Sequence, residues 1–145
     1  MIKNIPQNTE YFRYHNANPK DRRTGDCVLR AISLSTGKSW DEVLDDLVEI
    51  AHKYKIMVND PSCYDRYLQS LGFTKMKQPR KADNTKYTGS EFCEYLKRFR
   101  IGEYDVVAHI GGYHIIAIVD HKIVDIWNST GKTIGNYWIR RREND

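Results

Sequence analysis

The sequence predicts an α+β fold in which helices come first and pack on a C-terminal antiparallel sheet. Three observations predict it. As far as Phe99, apolar residues recur at helical spacing behind capping signals. From Tyr104 the pattern changes to short runs rich in Val, Ile, Tyr and Trp. Those runs are divided by two tight-turn signals, Gly111-Gly112 and Asp120-His121.

Taken in order, residues 1–25 are polar and turn-rich and read as an irregular lead-in. The first helix starts at Asp26 or Cys27 and buries Val28, Leu29, Ala31, Ile32 and Ser35, until Gly37 ends it. In the second, Ser39 and Glu42 form a capping box ahead of the stripe Trp40, Val43, Leu44, Leu47 and Ile50. Asp60 and Pro61 open a third helix that closes at Gly72. Thr88 and Glu91 make a second capping box, opening a helix through Phe92, Tyr95 and Leu96 to Phe99. Strands follow over 104–110, 114–119 and 122–127, with a last one around Tyr137-Trp138-Ile139. The run HIIAIV at 114–119 is almost wholly apolar, as a central strand covered on both faces would be.

The 145 residues fit one domain, 1–145, with 40% hydrophobic and 29% charged residues. No apolar run approaches the roughly 18 residues of a membrane span. The opening MIKNIPQNTEYF has no signal-peptide core, so a cytoplasmic rather than secreted protein is expected. Three cysteines, Cys27, Cys63 and Cys93, are an odd number at wide spacing, which argues against a disulfide framework. The five histidines form no zinc signature, so no metal is expected. A net charge of +4 is spread over short basic runs without interleaved aromatics, which argues against a nucleic-acid partner.

Cys27 stands where a helix begins, and free amides and the helix dipole there favour a thiolate. The alternative is a buried structural cysteine, the reading given to Cys63 and Cys93. A nucleophilic thiol needs a base, and the base needs an orienting partner. His114 opens the buried strand at the rim of the sheet. A two-residue turn at Asp120-His121 pairs Val119 with Lys122 and puts Asp125 diagonal to His114, where its carboxylate accepts the Nδ1 proton. A three-residue turn would bring Asn128 opposite instead. His109 is the competing base; across a Gly111-Gly112 turn it would pair with His114 and share its face. The Cys27 N–H and one side-chain donor would form an oxyanion hole. Asn16 and Asn18 are the candidates, and Asn18 is favoured because Pro19 fixes the chain after it, although both residue types also serve turns.

The segments TGDCVLRAISLSTGKSWDEV, HIIAIVDHKIVDIWNST and GNYWI resemble small papain-like cysteine peptidase domains, many of them encoded by bacteriophages. The resemblance covers roughly a third of the chain and includes both halves of the site. It implies a papain-like fold, Cys27 as nucleophile, His114 as base, and Asp125 or Asn128 on the next strand. One departure is that no Gln stands between Asn16 and Asp26, where such enzymes usually carry an oxyanion donor.

The leading expectation is therefore a cysteine peptidase or amidase acting on a peptide, isopeptide or amide bond through a thioester, with no metal or organic cofactor. The substrate would be a protein or peptide, and action in the host cytoplasm or packaged in a virion is expected. A second expectation is a catalytically silent scaffold that binds or inhibits a host factor through its ten Tyr and three Trp. A third is acyl transfer to an amine in place of water.

Overall fold

A computed structural model describes residues 5–99 and 103–142 of the chain. The elements in chain order are β1 (Phe12–Tyr14), α1 (Cys27–Thr36), α2 (Trp40–Tyr54), α3 (Pro61–Ser70), β2 (Thr74–Met76), α4 (Gly89–Arg98), β3 (Tyr104–Ile110), β4 (His114–Val119), β5 (Lys122–Asp125) and β6 (Ile134–Arg141). The fold is α+β, with a six-stranded sheet in the order β1-β5-β4-β3-β6-β2.

The capping chemistry places the helix starts. Ser39 accepts from the Glu42 N–H, Thr88 and Glu91 satisfy one another's backbone amides, and Pro61 occupies the first turn of α3. Gly37 closes α1 at φ 78°, a conformation glycine adopts without a steric penalty.

The helices divide between the faces of the sheet. The first three build one core from Val28, Leu29, Ile32, Val43, Leu47, Tyr64 and Leu68 over Val107, Ile115, Ala117 and Trp138. The other core joins Phe92, Cys93 and Leu96 of α4 to Val106, Ile110, Ile116, Ile118 and Ile123, with Phe12 of β1. Alternation along β3 and β4 feeds both cores, which is why these strands read as continuous apolar runs.

Four expectations are corrected. The sheet is mixed rather than antiparallel, because the lead-in supplies β1, which pairs parallel with β5. Phe12 is fully buried, and the Ile123 N–H donates to Tyr11 O at 2.8 Å, so burial and pairing with a distant segment order a stretch that has little local signal. The edge strand β2 was also unforeseen. The Gly111-Gly112 turn holds three residues, not two: Ile110 pairs with His114, and Tyr113 joins the loop almost fully exposed. Both glycines have positive φ, 62° and 95°, which suits the longer loop. Finally, β5 stops at Asp125, two residues short, while β6 extends well beyond the expected core of three.

The Asp120-His121 turn matches the expectation. Both residues have positive φ, 50° and 64°, as a two-residue I′ hairpin requires, and Val119 pairs with Lys122. Among the described residues no helix is long and apolar enough to cross a membrane.

Candidate active site

The site forms where the β4–β5 ladder stops. Counting from the turn, Val119–Lys122 and Ala117–Val124 are the hydrogen-bonded pairs, so Ile115 with Ile126 would be next. Because β5 ends at Asp125, both amides of that pair are released to other acceptors. The Ile126 N–H donates to Asp125 Oδ1 at 2.7 Å. The Ile115 backbone donates to the Cys27 sulfur, which α1 delivers as its first residue.

Hairpin parity then sets the base beside its partner. His114 Nε2 lies 2.5 Å from Asp125 Oδ2, and the carboxylate is buried. The ring nitrogen is Nε2, not the expected Nδ1, and the same imidazole interacts with the Cys27 side chain. The Trp127 ring leans on the imidazole with centroids 4.9 Å apart. On its outer side, Asp125 is held by β1, where the His15 N–H donates to Asp125 O at 3.0 Å.

The electrostatics follow from these contacts. Burial alone would raise the Cys27 thiol. The hydrogen bonds from His114 and the Ile115 backbone, with the positive charges of His114 and Arg30, outweigh burial and lower it. Burial opposes a charge on His114, but the Asp125 and Cys27 partners raise it to about 9. Together the two shifts favour a thiolate–imidazolium pair. The other cysteines are not lowered by a histidine or arginine: burial and the Asp60 charge raise Cys63, and burial outweighs a backbone hydrogen bond from Ile123 and pushes Cys93 up to about 12. Both are fully buried, as expected for core cysteines.

Arg30 is the residue that sequence reasoning missed. It is buried, its Nε donates to Asp26 Oδ1 at 2.9 Å, and its Nη1 donates to Asp125 Oδ1. Asp26, also buried, accepts further bonds from Asn18 Nδ2 and Trp40 Nε1, each at 3.0 Å. Although burial opposes it, these donors hold the Asp26 carboxyl below its usual range. The available signals were the i, i+4 spacing of Asp26 and Arg30 and an arginine set among Val28, Leu29, Ala31 and Ile32.

The other candidates have different tasks. Asn18 spends its amide on Asp26 and accepts from the Lys20 and Arg22 amides, so it builds the helix entry rather than an oxyanion hole. Asn16 ties Asp21 and the Arg22 carbonyl. Asn128 accepts from the Thr130 amide and hydroxyl and so shapes its own turn, while Asp125 takes the place beside His114. With the three-residue loop, His109 pairs with Ile115 and points to the opposite face from His114. There its Nε2 meets Tyr64 Oη at 2.8 Å and its Nδ1 meets Asn136 Oδ1 at 2.8 Å. Burial lowers its basicity, in contrast to His114. Among the described residues no group of three or more His, Cys, Asp or Glu side chains is placed to hold a metal ion.

The arrangement can polarise a thiol and move a proton between sulfur and an external atom. No family model, curated protein or solved structure matches the chain.

Proposed function

We propose that the chain is a papain-like cysteine peptidase or amidase of the kind many bacteriophages encode, acting on a peptide, isopeptide or amide bond of a protein or peptide substrate. The observation that carries this reading is the convergence of Cys27, His114 and Asp125 at the end of the β4–β5 ladder, where His114 Nε2 lies 2.5 Å from Asp125 Oδ2 and the imidazole also interacts with the Cys27 side chain. Thiolate character is confined to the one cysteine in that group, which lies at a helix start.

In this reading the Cys27 thiolate attacks the carbonyl carbon, and the carbonyl π pair moves to oxygen. The Cys27 N–H, in the first helical turn and so without an intrahelical acceptor, donates to that oxyanion. The oxyanion collapses, the C–N bond breaks, and imidazolium His114 protonates the departing amine. Water, deprotonated by the now neutral His114, then hydrolyses the thioester and regenerates the thiolate. Asp125 keeps the ring turned toward the sulfur throughout.

Iodoacetamide alkylation followed by mass spectrometry tests the reading. Cys27 is expected to be modified well below pH 8.5, the value of an ordinary thiol being about 8.5, with Cys63 and Cys93 spared. Cys27→Ala removes the labelling, and His114→Ala moves it to higher pH. An ordinary titration of Cys27 in the wild-type chain would defeat the proposal.

A further inference from the structure

We propose that Arg30 is a positioning residue for the Cys27–His114 pair: it locks the helix that carries the nucleophile to the strand end that carries the orienting carboxylate. The inference rests on the thiol-hydrolase reading above and assigns a role within that site.

The geometry supports it from both ends. Asp26 immediately precedes Cys27, and its carboxylate is gripped by Asn18, Trp40 and Arg30 Nε. Asp125 Oδ1 is filled by Arg30 Nη1 and the Ile126 N–H, which leaves Oδ2 to face His114 Nε2. Selecting that oxygen sets the plane of the ring that also interacts with the Cys27 side chain. A guanidinium presents several donors in a rigid fork and stays charged, so one side chain reaches both carboxylates. A lysine offers a single nitrogen.

Charge points the same way. Asp26 and Asp125 are both buried, and Arg30 lies between them. The groups facing the Cys27–His114 pair are Arg30 and Asp26 at α1, Asp125 of β5 and Tyr64 of α3. Tyr64 stays neutral, because burial and the nearby Cys27 charge push its phenol up to about 12. Arg30 is therefore the one permanent cation in this set, and its field favours the thiolate.

The test is the pH dependence of iodoacetamide alkylation at Cys27 in the full chain. Arg30→Met alone strands two buried carboxylates, so the double variant Arg30→Met/Asp26→Asn keeps the charge in balance. Its reactive limb is expected to move up by about one pH unit, which is about tenfold slower alkylation at the foot of the limb. Arg30→Lys retains the cation and recovers part of that loss. A purely structural Arg30 would lower the melting temperature and leave the limb of the folded protein where it was.

A folded double variant with the wild-type limb overturns the proposal and leaves the hydrolase reading standing. An ordinary limb in the wild type defeats the hydrolase reading instead. If neither variant folds, NMR of the wild type decides. Arg30 Hε is expected to be protected from exchange and to shift when Cys27 is alkylated. A fast-exchanging Hε that ignores alkylation overturns the proposal.

Discussion

His114 is held between a carboxylate that stabilises its proton and a sulfur that gives one up, and this has a consequence for stability. Taken alone, a histidine raised from 6.5 to about 9 stabilises the fold fully below pH 6.5 and loses that contribution as pH rises through about 9. A thiol with a lowered folded pKa does the reverse: its contribution is present above its unfolded value and is lost as pH falls through the folded one. Where folded Cys27 is thiolate and folded His114 is imidazolium, the pair holds one proton. The unfolded pair, thiol with neutral imidazole, also holds one. The two slopes cancel, so wild-type stability should be nearly flat between about pH 6.5 and 9 as far as this pair decides it. Cys27→Ala removes one slope and one of the partners that raise His114, so its stability should fall with rising pH from about 6.5, with the fall ending below pH 9 where Asp125 alone holds the imidazolium; urea denaturation at a series of pH values checks this. For activity, Asp125→Ala should lower turnover by about 10²–10⁴-fold, whereas Asn128→Ala, which touches only its own turn, should change it little. Kinetics on any substrate that acylates Cys27 will rank the two, and the reverse order would contradict the hairpin register. The convergence of Cys27, His114 and Asp125 was legible because each had a positional signal: a helix start, a strand head and a turn of countable length. Arg30 was not, because its local signals, the i, i+4 spacing from Asp26 and the apolar neighbours, do not point to the second aspartate, Asp125, far along the chain.

At the scale of elements, success and failure of the sequence reading divide at the turns. Asp120-His121 told its length correctly, and with it the face on which Asp125 lies. Gly111-Gly112 did not, since two consecutive glycines suit a three-residue loop as well as a two-residue one, and the extra residue separates His109 from His114. The four helices were legible because caps and stripes are local, although Glu42 spends its carboxylate on Lys38 instead of closing the capping box with Ser39, and Leu71 rather than Gly72 caps the third helix. β1 and β2 were not, because three-residue strands are specified by the partners they reach. The correct turn also carries strain. Both residues occupy the left-handed region, which costs a side chain-bearing residue roughly 1–2 kcal/mol, and the buried His121 Nε2 has no hydrogen-bond partner among the described residues. Replacing His121 by Gly should therefore stabilise the fold by about 1 kcal/mol. The denaturation midpoint in urea measures it, and a loss of stability would mean that packing of the ring outweighs the backbone strain.

Across the whole molecule, the sheet separates two cores, and the candidate site gathers at one end of it, with His114 and Asp125 on the strand parity of Ile116 and Ile123. Cys27 packs at the margin of the cluster built by α1, α2 and α3, whereas α4 seals the opposite face. The seal is tight at Gly89: an added Cβ would lie 2.8 Å from Ile123 Cδ1, 2.9 Å from Ile110 Cδ1 and 3.1 Å from Thr130 Cα. The two methyl ends can rotate, but the backbone atom cannot give way without moving the 128–130 turn. Gly89→Ala should then cost about 1–3 kcal/mol as an overpacked contact. None of the atoms it meets belongs to the Cys27–His114–Asp125 series, although Ile123 lies on the same strand as Asp125. If the sheet acts as a rigid partition, the variant should melt earlier and still alkylate at Cys27 with the wild-type pH dependence. If strain passes along β5 instead, the limb will move with the melting temperature. Calorimetry and alkylation on the same preparation distinguish the outcomes, and the first is expected, because β5 is fixed on both edges by β1 and β4 and its end is held by Arg30 and the Ile126 amide.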